Sequence, residues 1–162
     1  MDRTGQIIDA MIEYYQKDVR RINHCLKVYA FAKAIGEMEG LDETTQEILE
    51  TAALTHDIGI KNSEKKYQSS AGTYQQIEGP PEARILLGNL SIEQMIIDRV
   101  CFLIAHHHTY LSQIDLDLQI LMEADFLVNA QEEAMTKETI NKVKEKIFKT
   151  ETGKRFLQNI FA

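Results

Sequence analysis

Proline, cysteine and long apolar runs are all scarce in this chain of 162 residues. The only two prolines, Pro80 and Pro81, are adjacent, so little elsewhere would break a helix. The only two cysteines, Cys25 and Cys101, lie far apart and form no CxxC pair, which favours two buried free thiols over a disulfide. No apolar run approaches the roughly 20 residues of a membrane span, and the first residues contain no apolar core of a signal peptide. We therefore expect a cytoplasmic protein without a membrane segment.

Positive charge is also in the minority. Lysine and arginine together number 18, against 25 aspartates and glutamates, which gives a formal net charge of −7. A protein that binds duplex nucleic acid would need a basic face to neutralise phosphates, so that class is disfavoured. A small anionic substrate is still compatible with this charge, because a bound metal or a few lysines can dominate the local field.

The length and the hydrophobic content are those of one globular domain. Hydrophobic residues make up 44% of the chain and charged residues 27%. We therefore treat residues 1–162 as a single domain, with a core at about 19–130 and C-terminal helices at 136–162. The sequence leaves open whether the chain is a monomer or a homodimer.

Apolar residues recur at helical spacing along nearly the whole chain and do not alternate as they would in a strand. The first helix is predicted at about 5–16. The second is expected to begin after an N-cap at Asp18 and to end near Gly40, and the third to run from an N-cap at Asp42 to His56. The pattern predicts an all-α bundle of six or more helices with no significant sheet.

The polar stretch 59–79 interrupts this periodicity and is predicted to be a loop. A loop of this length in a compact domain is often functional, and we expect it to cover a pocket and select the substrate. Pro80 and Pro81 are predicted to start the next helix, and Ser91 with Gln94 forms a capping-box pattern before the one that follows. The remaining helices are predicted from about 117 to beyond 128, after an N-cap at Thr136, and at about 153–161.

Four polar residues interrupt the apolar faces of the predicted helices. His24, His56, Asp57 and Asp125 each stand three, four or seven residues from apolar residues of their own helix. Residues at these spacings share a helix face, so the four side chains are expected to point into the core. Two carboxylates and two imidazoles from three separate helices would thus be buried.

A divalent cation would compensate these buried groups. No lysine or arginine lies on the same faces, and a buried carboxylate without a partner is costly. Two aspartates and two histidines would form a formally neutral site with such an ion. Taken singly, each residue has another explanation. His24 could be a core histidine bonded to the backbone, His56 could be favoured by the helix dipole, and Asp125 could pair with a distant basic group.

Three segments that carry these residues, RINHCLKVYAFAKAI, AALTHDIGIK and LMEADFLVNA, resemble the HD superfamily of metal-dependent phosphohydrolases. The resemblance covers about 19–130 and consists of one histidine, a His-Asp doublet on the next helix and a distant aspartate. It implies a helical bundle in which His24, His56, Asp57 and Asp125 bind the metal. It also implies hydrolysis of a phosphate ester or nucleotide by a metal-activated water. Our hypothesis gives Asp57 the catalytic role, in which it orients this water or accepts its proton.

The run His106, His107 and His108 extends this resemblance. Some HD proteins use a His-His doublet near this point to bind a second metal, and His106 and His107 match it best. Those relatives carry a further histidine in the preceding segment, whereas none lies between His56 and His106 here. We therefore expect one divalent ion (Mn, Fe, Co, Ni, Mg or Zn), with His106 and His107 facing the substrate phosphate or an outer water. His108 is expected at a solvated helix end.

Two basic residues are further candidates for contact with the phosphate of a substrate. Lys61 follows the His-Asp doublet closely and could contact a phosphate oxygen as a point charge. Arg21 stands three residues before His24 and could do the same. For both, a solvated or surface-paired side chain is an equal alternative.

Two other functions are compatible with the same residues. In a di-iron oxygenase, His106 and His107 would become ligands of a second iron, and metal stoichiometry would distinguish that case. In a binding or regulatory module the metal would be structural, with a closed coordination shell. The hydrolase is the preferred prediction, with a small phosphorylated substrate and no membrane partner.

Overall fold

The computed structural model describes residues 2–109 and 114–162, and within these ranges the chain forms helices and no strand. This confirms the all-α prediction, and no helix in the same ranges is long and apolar enough to cross a membrane. The helices of the described residues are α1 (Thr4–Tyr15), α2 (Val19–Met38), α3 (Glu43–Thr55), α4 (Ile60–Tyr67), α5 (Gly72–Asn89), α6 (Gln94–His106), α7 (Leu116–Glu132), α8 (Lys137–Ile147) and α9 (Glu151–Phe161).

Several helix ends lie where local chemistry predicts them. The side chains of Asp18, Asp42 and Thr136 each accept a hydrogen bond from the backbone N–H three residues later, so the N-caps predicted at these three residues are confirmed. Beyond the end of α2, Gly40 has φ of 76°, a left-handed conformation that glycine adopts without steric cost. These ends set where α2 and α3 begin and so which residues face the core.

The prediction of a loop at 59–79 is wrong. Most of this segment belongs to α4 and to the first turns of α5, and Pro80 and Pro81 lie inside α5 instead of starting it. The stretch is polar because α4 buries little more than Ser63. Helix α5 tolerates its prolines because its packing against α6 outweighs local propensity, with Ala83 and Leu87 completely buried.

The capping-box prediction at Ser91 is also wrong. Helix α6 begins at Gln94, and the residue that precedes it, Glu93, makes no side-chain cap. Ser91 instead has φ of 57° in the turn after α5, where its N–H donates to the carbonyl of Gly88. A serine followed three residues later by glutamine therefore occurs here in a tight turn that precedes the helix.

The centre of the molecule is formed by α2, α3, α6 and α7. Helix α2 packs against both α3 and α7, and α3 also contacts α6. The predicted core residues Val28 and Ile35 of α2 are fully buried, as are Ala52 and Ala53 of α3. Both cysteines are buried and free, as predicted. Because α2, α3 and α7 are mutual neighbours, polar side chains on their inward faces meet at one place.

A close approach of two backbones fixes the chain immediately after α3. A Cβ atom on Gly59 would lie 2.6 Å from the nitrogen of Gly79 and 2.7 Å from the carbonyl oxygen of Gln75, so no larger residue fits there. On the other side of α5, a Cβ on Gly79 would lie 2.6 Å from a methyl of Ile104. The two glycines thus allow α5 to pass directly against the turn that follows His56 and Asp57.

Candidate metal centre

Three helices bring four polar side chains together in the interior. Helix α2 carries His24, His56 and Asp57 follow the last residue of α3, and α7 carries Asp125. His56 is completely buried, His24 and Asp125 are buried, and the side chain of Asp57 is only 14% exposed. The sequence predicted that these residues point inward, and the structure brings all four together.

The spacing of their polar atoms is that of ligands around one cation. The Nε2 atoms of His24 and His56 are 3.2 Å apart, and they lie 3.0 and 3.2 Å from Oδ1 of Asp125. Oδ2 of Asp57 lies 3.2 Å from Nε2 of His24 and 3.4 Å from Nε2 of His56. Ligand atoms about 2.1 Å from a metal are about 3.0 to 3.4 Å apart for octahedral or tetrahedral angles. The donor set and its spacing therefore fit a bound divalent metal.

Hydrogen bonds on the far side of each ring orient the histidines. Nδ1 of His56 lies 2.7 Å from the carbonyl oxygen of Ala53, and because a carbonyl only accepts, this Nδ1 carries the proton. In the neutral ring, Nε2 then presents its lone pair to the centre. Nδ1 of His24 lies 2.7 Å from Oε1 of Glu132, which gives the carboxylate–histidine arrangement that often supports a metal ligand.

The charges of the cluster are strongly coupled. Burial alone would lower the pKa of His24, but hydrogen bonds to Asp125 and Asp57 raise it to about 10. Burial would raise the pKa of both carboxyls, yet the neighbouring imidazoles, His56 foremost, hold the pKa of each well below its usual range. The carboxylates are thus ionised, and a cation that binds here competes with a proton on the imidazoles.

The structure brings His107 and His108, not His106, to the carboxylates. Nε2 of His107 is buried, has no hydrogen-bond partner among the described residues and lies 3.5 Å from Oδ1 of Asp57. Asp57, His107 and His108 each offer one possible ligand atom, and these three atoms lie within 4.8 Å of one another. The three residues form a second group that could hold a metal. His108 is exposed just beyond the end of α6, as expected, and its Nε2 also lies 3.0 Å from Oε1 of Gln75.

His106 lies on a different face of α6. Its Nδ1 is 2.8 Å from the carbonyl oxygen of Phe102, and its ring stacks on Phe102 with 4.2 Å between centroids. Helical spacing could have predicted that His107 and not His106 faces inward. His106 follows the partly exposed Phe102 by four residues, whereas His107 follows the buried Leu103 by four. The expectation that His106 faces the substrate is therefore corrected.

The two basic candidates differ in position. Lys61 is turned toward α1, with Nζ 3.3 Å from the carbonyl oxygen of Tyr14 and 4.9 Å from the centroid of its ring, so the structure does not bring it to the cluster. Arg21 lines the cavity beside His24, but it also pairs with Asp18 at 3.1 Å and with Glu64.

A polar cavity of about 490 Å³ opens onto the cluster. Its wall includes residues that the sequence analysis did not select. Asn129 and Glu132 stand four and seven residues after Asp125, so their place on the same face of α7 could have been inferred. Arg20 lies on the exposed part of α2, and its spacing in the sequence does not indicate that it lines the cavity. The wall consists of Asp18, Arg20, Arg21, His24, Asp57, Ile60, Ser70, Gln75, His108, Asp125, Asn129, Glu132 and Glu133.

These features define an all-helical protein with a histidine–carboxylate cluster that fits a divalent metal. A model of the HD domain family matches residues 21–130, and the chain belongs to this family. Its fold is similar to the crystal structure of a protein from an uncultured Thermotogales bacterium that is described as a predicted HD superfamily hydrolase. The TM-score is 0.69 at 23% identity, over 97% of this chain and 84% of that one, and this likeness concerns the fold. No curated protein matches the chain significantly.

Proposed function

We propose that this protein is a metal-dependent phosphohydrolase that cleaves a small phosphate ester or nucleotide. The observation that carries the proposal is the convergence of two imidazole nitrogens and two carboxylates from α2, α3 and α7 at 3.0 to 3.4 Å from one another. Membership of the HD domain family and the similarity in fold to a protein described as a predicted HD superfamily hydrolase support it.

The proposed ligands are His24, His56, Asp57 and Asp125. Two carboxylates and two neutral imidazoles balance the charge of a divalent ion, and Mn, Fe, Co, Ni, Mg and Zn are all compatible with these donors. A bound ion of this kind supplies Lewis acidity and makes a coordinated water more acidic.

Asp57 has two separate tasks in this arrangement. Its Oδ2 faces the Nε2 atoms of His24 and His56, whereas its Oδ1 lies 3.5 Å from Nε2 of His107. One oxygen can therefore hold the metal while the other accepts a proton from, or orients, the attacking water. Nδ1 of His107 lies 2.7 Å from the carbonyl oxygen of Ile104 and donates to it, so in the neutral ring Nε2 presents a lone pair on that same side and can accept a hydrogen bond from the attacking water.

The polar cavity provides room and charge for a small phosphorylated substrate. Its volume of about 490 Å³ is within the usual range for small-molecule sites. Arg20 and Arg21 line the side formed by α2 and could offset charge on the phosphate. Lys61 is left out of this assignment because its ammonium group contacts Tyr14.

A two-metal form is the second candidate, and a specific observation favours it. Asp57, His107 and His108 could hold another ion beside the first, and the buried Nε2 of His107 has no hydrogen-bond partner among the described residues. Two irons held by these residues would supply oxidative chemistry with O₂, whereas two other divalent ions would still suit hydrolysis.

Metal content and hydrolysis test the proposal together. We expect the protein purified without chelator, or reconstituted with Mn²⁺, to hold about one ion per chain and to release phosphate from a panel of phosphate esters and nucleotides. We expect His24→Ala to lose both the metal and the activity. Two irons per chain with no phosphate release would favour the oxygenase, and a metal that supports no turnover would indicate a structural site. Absence of metal after reconstitution would refute the centre itself.

The contact between Glu132 and His24 allows a finer prediction. We expect Glu132→Gln to weaken metal binding by about 10- to 100-fold, the usual cost of losing the partner that orients a ligand histidine. Titration with Mn²⁺ under competition by a chelator would measure this change. Glu133→Gln, in the next position of the chain and at the same cavity, is the matched control. Equal affinities in the two variants would contradict a positioning role for Glu132.

A further inference from the structure

A second cavity adjoins the metal centre, and it is apolar where the first is polar. It has a volume of about 300 Å³ and lies between α7 and α8. It shares His108, Asp125 and Asn129 with the polar cavity, so both open onto the same cluster. The remaining wall consists of His107, Met122, Phe126, Met135, Thr139, Val143 and Ile147.

Resting on the proposed function, we propose that this apolar cavity is a subsite for a neutral aromatic group of the substrate, whose phosphate lies over the metal centre. Its size is the first reason. A cavity of roughly 150 Å³ already holds benzene. A space of about 300 Å³ accommodates one or two fused rings and is too small for a helix of a partner protein.

The chemistry of the wall is the second reason. Met122, Met135 and Phe126 provide polarizable and aromatic surface, which suits a flat ring. Among the residues that the structure describes, no lysine or arginine lines this cavity, so these residues offer no compensation for an anionic group. The amide of Asn129 and the hydroxyl of Thr139 can bond a heteroatom on the ring.

The position beside the reacting groups is the third reason. The cavity wall includes His107, whose buried Nε2 lacks a hydrogen-bond partner among the described residues, and Asp125 of the proposed ligand set. An aromatic group held here could therefore belong to the same small molecule as a phosphate bound at the metal. Much of the opposite wall comes from α8, which lies beyond the family match at 21–130.

Paired substrates with similar leaving groups test the subsite. We expect the Mn²⁺-loaded protein to hydrolyse 2-phenylethyl phosphate with a kcat/KM about tenfold or more above that for ethyl phosphate, because burial of a phenyl ring is worth at least that factor. Val143→Trp fills the cavity from α8 and should reduce this preference to near unity. Glu145→Trp, at an exposed position of α8 outside both cavities, is the matched control and should keep it.

Binding of the two corresponding phosphonates, followed by calorimetry, separates failure of the subsite from failure of the proposed function. If no ester is hydrolysed but 2-phenylethylphosphonate binds more tightly than ethylphosphonate, and Val143→Trp removes the difference, then the subsite stands and the hydrolase proposal falls. Absence of any preference in the unmodified protein, or a preference that survives in Val143→Trp, overturns the subsite. Val143→Phe, with thermal unfolding as a check, replaces the tryptophan variant if that one does not fold.

Discussion

Asp125→Ala is expected to abolish metal binding and turnover together. Oδ1 of Asp125 lies within 3.2 Å of the Nε2 atoms of both His24 and His56, so its loss removes one proposed ligand and half of the negative charge of the centre. Loss of an outer partner alone costs roughly 10- to 100-fold in metal affinity, and we expect the loss of a direct ligand to exceed about 100-fold. Metal titration and kcat/KM on the best ester of the panel would measure both effects.

The fold should survive this change, and two further variants make the result interpretable. Asp125 stands among the fully buried Leu121, Ala124 and Val128 of α7, whose packing does not depend on the carboxylate, so the far-ultraviolet circular dichroism should be preserved. Asp125→Asn keeps the size of the side chain but removes its charge, and it should be nearly as damaging. Asp9→Asn on the exposed face of α1 should behave as the unmodified protein. Full metal loading and activity in Asp125→Ala would refute the ligand assignment.

The same substitution should also change the protonation of His24 in the metal-free protein. Asp125 is the first of the hydrogen-bonding partners that raise the pKa of His24 to about 10, against the lowering effect of burial. Without it, the pKa of His24 should fall, so less stabilisation from the protonated imidazole should remain at neutral pH. Titration of the histidine ring signals by NMR would follow this shift.

Residues whose role depends on local spacing could be predicted from the sequence. The inward direction of His24, His56 and Asp125 follows from helical periodicity, and the N-caps at Asp18 and Asp42 follow from hydrogen bonds that span three residues. The sequence cannot state how far apart three helices lie. The convergence at 3.0 to 3.4 Å is therefore information that only the structure provides.

Features that depend on tertiary packing were the ones predicted wrongly. The segment 59–79 looked like a loop because α4 is polar and two prolines follow, but the close contact of Gly59 with Gly79 holds α5 against the turn after α3. The choice of His106 over His108 relied on the match to a family doublet, whereas the end of α6 at His106 turns the next two histidines toward Asp57. Glu132 could have been found from its spacing to Asp125, and Arg20 could not.

The largest loss of stability is expected from a residue outside the metal centre, Glu123 of α7. Its side chain is completely buried and connects α7 to the start of α9. Oε2 accepts hydrogen bonds from the backbone N–H of Lys149 and of Thr150, each at 3.1 Å, and Oε1 accepts one from the hydroxyl of Thr150 at 2.7 Å. The amide of Gln119 donates to Oε2 as well, at 2.5 Å.

Glu123→Ala should lower the free energy of unfolding by about 3 to 5 kcal/mol, because several buried donors would lose a charged acceptor at once. Glu123→Gln keeps the size but places an NH₂ group among N–H donors, so it should also destabilise, by a smaller amount. Urea unfolding measures the difference, with Glu145→Ala on the exposed face of α8 as the control. Unfolding at the same urea concentration as the unmodified protein would contradict the role of Glu123.

Hydrogen exchange would then locate the effect and relate it to function. If α9 undocks by itself, exchange should accelerate in α9 and in α8, which packs against it, while the helices that carry the metal ligands stay protected. Metal binding should persist in that case. The preference for an aromatic ester should decline, because Val143 and Ile147 of α8 form part of the apolar cavity. The C-terminal helices would thereby affect which substrate is chosen without contributing to the metal site itself.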